Sequence, residues 1–173
     1  MTNFSPDEAH EYLRLALREF LRADGWPVAT DDEDEDATAI AVEAQNGRFI
    51  IVAQVLDDAP LVLFTSVLPV FVPEMRRGAL GEFLHRANYG LLSGGFQFDP
   101  DEGEVRFVTS LDLAGAELDA LGALGALPAL FRQIVYRNVS TVDQYLPALM
   151  TVVYSEVEPR SALERAEHEE DDD

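Results

Sequence analysis

The chain has 173 residues, 47% of them hydrophobic, which is enough for one domain that buries its own core without a metal or disulfide. It contains no Cys, so disulfides, thiolate metal sites and a cysteine nucleophile are excluded. Thirty-three acidic residues against twelve basic ones give a formal charge of −21. That charge speaks against direct contact with nucleic acid or anionic lipid, whose phosphates require surplus cation, and favours basic partners or simply solubility.

All twelve basic residues are Arg, which reads as composition bias. No stretch approaches the roughly 18 apolar residues of a membrane span, and Met1 to Glu11 lacks a basic segment followed by an apolar one. A cytoplasmic protein is expected. Ser5-Pro6-Asp7-Glu8 is a complete helix start, with Ser5 to cap, Pro6 at the first helical position and Glu8 to reach back. Apolar residues recur at helical spacing from Ala9 to Leu21, and Gly25 is a plausible stop, predicting a helix over about 6–24. The acidic run Asp31, Asp32, Glu33, Asp34, Glu35 and Asp36 reads as a loop.

Three strand-like segments follow, Ala37–Ala44, Arg48–Leu56 and Leu61–Leu68. Asn46-Gly47 predicts a two-residue type I′ hairpin, in which Gln45 pairs with Arg48. Pro69 and Pro73 end the third strand and open a second helix, about Pro73 to Leu92, with a stripe of Met75, Ala79, Leu80, Phe83, Leu84, Ala87 and Leu91. A second hairpin joins Phe96–Asp99 to Glu104–Leu111 around Gly103. From Ala116 to Val157 the pattern is helical, with Pro128 and Pro147 as breaks or kinks. Residues 158–173 read as a disordered acidic tail behind a single domain over 1–157. The fold class is α+β: an antiparallel sheet with helices on one face, in the order α-β-β-β-α-β-β-α.

Strand alternation sorts the meander into two faces. Thr38, Ile40, Val42, Phe49, Ile51, Ala53, Val55, Val62, Phe64, Ser66 and Leu68 form a plain core face. The opposite face carries Ile50, Val52, Leu56, Leu61, Leu63 and Val67 where a solvated face should turn polar. The C-terminal helix, a second copy of the chain or a client segment is therefore expected to cover it.

Enzyme chemistry finds little support. Asp32, Asp34, Asp36 and Glu43 imitate a calcium loop, but Ala37 stands where Gly is needed and a strand follows where a helix belongs. Asp99 and Asp101 with Gly103 are explained by a turn. His10, His85 and His168 are scattered, and no GxSxG, Walker or dinucleotide motif is present. No catalytic residue, metal or cofactor is expected.

The ordered set Asn46-Gly47-Arg48-Phe49, Leu84 to Tyr89, Gly94 to Asp99, Gly103 to Phe107, Ser110 to Leu113 and Val142 to Leu149 resembles the bacterial YbjN family over roughly residues 6–155. The resemblance implies a sensory or stress-response regulator with a fold similar to type III secretion chaperones, small acidic homodimers that hold an extended client segment. The expected function is thus a non-catalytic, chaperone-like adaptor. Ile50, Val52, Leu56, Leu61 and Leu63 are candidates for client contact, with the acidic run 31–36, and Phe83, Leu84 and Ala87 for a dimer contact. The alternative is an acidic regulator that occupies basic surfaces of nucleic-acid-binding proteins as an electrostatic mimic.

Overall fold

The computed structural model describes residues 4–28 and 37–168. Helix α1 spans Pro6–Ala23, and its start is the reciprocal cap anticipated above. The Glu8 amide donates to Ser5 Oγ at 3.3 Å, and the Ser5 amide donates to the Glu8 carboxylate at 2.8 Å. Gly25, with φ of 78°, turns the chain after it. Strands β1 (Ala37–Glu43), β2 (Arg48–Val55) and β3 (Leu61–Phe71) are followed by α2 (Glu74–Gly90), β4 (Gly95–Phe98) and β5 (Glu104–Asp112). Helices α3 (Leu118–Ala123), α4 (Ala126–Tyr154) and α5 (Pro159–His168) complete the described chain. The five strands lie in the order β1-β2-β3-β5-β4, every pair antiparallel.

The helices pack on one face of this sheet. Helix α1 lies toward β2, α4 crosses β3 and β5, and α2 sits against β4. Alternate strand residues meet them. Ile40, Ile51, Val62, Phe64, Val105 and Phe107 are buried together with Leu13 and Leu17 of α1, Leu80 and Phe83 of α2, and Phe131 and Val135 of α4. Among the described residues, no helix is long and apolar enough to cross a membrane.

A small polar cluster sits inside this core. Asn138 of α4 is fully buried, and its Nδ2 donates to the Phe64 carbonyl at 2.9 Å and to Thr109 Oγ1 at 3.1 Å. Ser66 Oγ donates to Asn138 Oδ1. The amide thus ties α4 to the two central strands, and its own hydrogen-bonding capacity is used.

The Asn46-Gly47 turn differs from the type I′ expectation. Glu43 pairs with Arg48, and the Ala44 amide donates to the Gly47 carbonyl, so four residues lie between the paired positions. Gly47 does not take the positive φ a type I′ turn needs. The turn is shaped by docking onto α4. The Asn46 amide donates to the Asp143 carboxylate at 2.7 Å, and Asn46 Nδ2 donates to the Asp143 carbonyl at 3.0 Å. That carbonyl lies four residues before Pro147, which has no N–H to give it, so Asn46 replaces the missing helical bond. Gly47 is small for the same reason: a Cβ there would come within 2.5 Å of Leu146 Cδ2. Helix α4 accordingly runs through Pro147, and Pro128 falls in its first turn, where no amide is missed.

Other turns are held by side chains in the same way. Asn88 of α2 donates to the Phe96 carbonyl at 2.9 Å and accepts from the Phe96 amide at 2.7 Å, occupying the outer edge of β4. Arg77 donates to the carbonyls of Val72, Pro100 and Asp101, closing the β4–β5 turn, where Gly103 has φ of 78°. Asp24 accepts from Trp26 Nε1 at 3.0 Å and from Arg132 at 2.9 Å, fixing the end of α1 to α4. The Arg132 guanidinium, with the Trp26 N–H, holds the Asp24 carboxyl below the usual carboxylate range.

Two expectations are corrected by the C-terminal part. The stretch after residue 116 forms three helices, so the order gains two helices at its end. The tail expected to be disordered instead forms α5, which packs against α2 and α4. Its contact face is built from Pro159, Ala162 and Ala166, all buried, and Gln144 Nε2 donates to the Ala166 carbonyl. Small side chains let it lie close, which extends the folded body past residue 157. Residues 169–173 of that tail lie outside the described residues.

Candidate functional site

The second face of the sheet is the place to look for function, because among the described residues no helix lies on it. Among the described residues, the helices that meet the sheet, α1, α2 and α4, pack from the side marked by Phe64, Ser66, Phe107 and Thr109, the residues that meet Asn138 or lie beside it. The open side presents Ala41 from β1, Ile50 and Val52 from β2, Leu61, Leu63 and Val67 from β3, and Val108 from β5. Ile50 is 51% exposed, and Val52, Leu61, Leu63, Val67 and Val108 are half-buried by their neighbours within the sheet alone. The protein's own C-terminal helices are therefore not what covers it.

The sequence placed Ile50, Val52, Leu61 and Leu63 on this face, and the structure brings them together there. Leu56 follows β2, and its amide donates to the Leu61 carbonyl, so it sits at the end of the same face. The two-residue change at the Asn46-Gly47 turn leaves this assignment intact, since only an odd shift would swap the faces.

A groove of about 880 Å³ lies over β1, β2 and β3 at one end of the face. Ala41, Ile50 and Val67 line it together with Trp26, Pro27 and Pro69. Trp26 and Pro27 are residues that sequence reasoning missed. They follow α1 and run beside β1, where the Pro27 carbonyl accepts from the Ala41 amide and Val28 forms a bridge to Ile40. The lone Trp directly after a helix-ending Gly was the available signal. Pro69 was read as the end of a strand. Instead β3 continues to Phe71 across a register shift between Val67 and Phe71, a place where a strand tolerates Pro. Phe71 is 68% exposed at the far end of the same strand.

Charge on this face is divided. Glu43 pairs with its cross-strand neighbour Arg48 at 2.7 Å, and Glu104 pairs with Arg106, so both arginines of one end are matched. The other end carries Asp112, opposite Leu61, and the β2–β3 turn with Asp58, while Asp57 of that turn is directed toward α1 on the covered side. His10 lies 3.6 Å from Asp57. Among the described residues, no arginine pairs with Asp58 or Asp112.

The remaining candidates fare differently. Asp31 to Asp36 lie outside the described residues. Phe83, Leu84 and Ala87 do not form a dimer surface in this fold, because each is buried in the chain's own core. The apolar stripe of α2 was read correctly as a buried stripe but assigned to the wrong neighbour, and Met75, counted in it, is 88% exposed. Asp99 is a turn residue. Its carboxylate accepts from the Glu102 and Asp101 amides, which hold it below the usual range. Glu43, the last acid of the calcium-like spacing, lies in β1 on Arg48. Among the described residues, no group of three or more His, Asp or Glu side chains is placed to hold a metal ion.

Comparison with known proteins follows from this geometry. Residues 14–150 match the model of the YbjN family, whose description reads "Putative bacterial sensory transduction regulator". No relative was found among curated proteins. Among solved structures, the chain is similar to E. coli YbjN, with 17% identity over 73% of this chain and 91% of that one and a TM-score of 0.43. It is also similar to a chain of the HopA1–SchA chaperone–effector complex, at 17% identity over 74% and 96% of the two chains with a TM-score of 0.36. A chain of the ExsC–ExsE complex matches at 18% identity over 70% and 86% with a TM-score of 0.32.

Proposed function

The chain belongs to the YbjN family, and from that premise we propose that it is a non-catalytic, chaperone-like regulator that holds an extended segment of another protein against its open sheet face. The observation that supports this reading is the half-exposed aliphatic surface of Ile50, Val52, Leu61, Leu63 and Val67 with the groove beside Trp26 and Pro27. Apolar surface of this kind left to water is a place for association, since covering it releases roughly 25 cal/mol per Å². An extended segment suits a flat pleated surface, because its side chains alternate at the same period as those beneath.

A pair of copies acting in sensing or stress response belongs to the same proposal. With Phe83, Leu84 and Ala87 buried, a contact through α2 would use its outer residues, of which Tyr89 is 95% exposed.

A photo-crosslinking residue tests the reading inside cells. Placed at Ile50 it is expected to yield adducts with other proteins. Placed at Leu15 of α1, which is 54% exposed, it is expected to yield few. Equal yields from the two positions would defeat the proposal.

A further inference from the structure

We infer that the segment held on the open face is basic at one end and aliphatic at the other, lying with its arginines or lysines over Asp112 and the neighbouring Asp58 and its apolar side chains over Ile50 and Val67. The inference rests on the proposal that this face binds a protein segment and names the chemistry of that segment.

Two observations carry it. The first is the groove of about 880 Å³, apolar at its floor and walled by Pro27 and Pro69, which selects for aliphatic or aromatic side chains. The second is the unequal charge of the two ends. At the groove end, Arg48 and Arg106 are neutralised by Glu43 and Glu104, so a visiting charge of either sign meets a closed pair. At the other end, among the described residues, no arginine pairs with Asp58 or Asp112, and the Asp112 carboxylate accepts only a backbone amide, that of Ala114. A cation from a partner gains attraction there without displacing an internal one.

A second copy of the chain is a poorer occupant. It would bring a further formal charge of −21 and its own Asp58 and Asp112 against this face. A wholly apolar segment would leave the acidic end unmatched, and a wholly basic one would leave the groove empty.

The test is selection of random peptides of about ten residues, the length that spans the sheet in extended form, against the full chain. The selected peptides are then measured on Ile50→Asp and on the double variant Asp58→Asn, Asp112→Asn, with thermal melts confirming that both variants fold. The expected result is peptides rich in Arg or Lys beside aliphatic residues. Ile50→Asp should abolish their binding, and the double variant or high salt should weaken it roughly tenfold. Peptides that lose binding on Ile50→Asp yet lack basic residues and ignore the double variant would overturn this inference and leave the open-face proposal standing. Peptides indifferent to Ile50→Asp, or no peptides at all, would overturn both. Self-association that Ile50→Asp abolishes, with no peptide selected, would assign the face to a second copy.

Discussion

Ile50 and Ile51 are neighbours in one strand and occupy opposite worlds. Ile51 is fully buried beneath the helices, whereas Ile50 is 51% exposed on a face that no helix of the described residues reaches. The same contrast runs along β2 and β3, where every second residue is buried and those between are half-buried or exposed. Burial on the helix side explains why those residues are apolar. It does not explain the other side, where Ile50 is half exposed and Val52, Leu61 and Leu63 are only partly buried, yet all four are aliphatic. The comparison teaches that stability and function draw on alternate residues of the same strands.

Substituting the two neighbours is the sharpest way to test the contrast. Ile51→Asp places a charge in a packed core and is expected to cost more than about 4 kcal/mol, enough to prevent folding. Ile50→Asp is expected to stay within about 0.5 kcal/mol of the parent in urea denaturation while losing binding of the selected peptides. Comparable losses of stability would mean that the open face is structural after all.

Next in size is Asn138→Ala. Its removal strands the Ser66 and Thr109 hydroxyls inside the covered face, for an expected loss of about 2–3 kcal/mol by denaturant midpoint with an unchanged slope. Binding at the open face should not change. Asn46→Ala at the turn that docks on α4 is expected to cost about 1–2 kcal/mol, because the Asp143 carbonyl loses its partner.

The smallest effect is the pH dependence of Asp24. Its carboxyl is held low in the folded state, chiefly by Arg132, so the pair adds stability above the ordinary carboxylate pKa. That contribution should fade as pH falls through the lowered value. The difference in melting temperature between the parent and Asp24→Asn should therefore shrink on acidification.

What the sequence made legible follows from what each signal depends on. The two faces were readable because strand alternation survives an error of two residues: the expected Gln45–Arg48 pair is in fact Glu43–Arg48, and both leave Ile50 outward. The cap at Ser5 was readable because it is local. Helix α5 was not, since its buried residues are Pro159, Ala162 and Ala166, too small to stand out in a charged stretch. Phe83, Leu84 and Ala87 form an apolar stripe, and a stripe does not say whose surface it meets. Trp26, Pro27 and Pro69 join the groove through β1 and an irregular β3, and neither relation is written in spacing.

The Asn46 turn has a kinetic consequence. Its partner Asp143 is 97 residues further along the chain. Bonds between such distant positions form late, after loop closure has been achieved by other contacts. Until they form, α4 keeps an unpaired carbonyl before Pro147. The second half of that helix and the β1–β2 ribbon should therefore gain hydrogen-exchange protection together, as one cooperative unit assembled from opposite ends of the polypeptide.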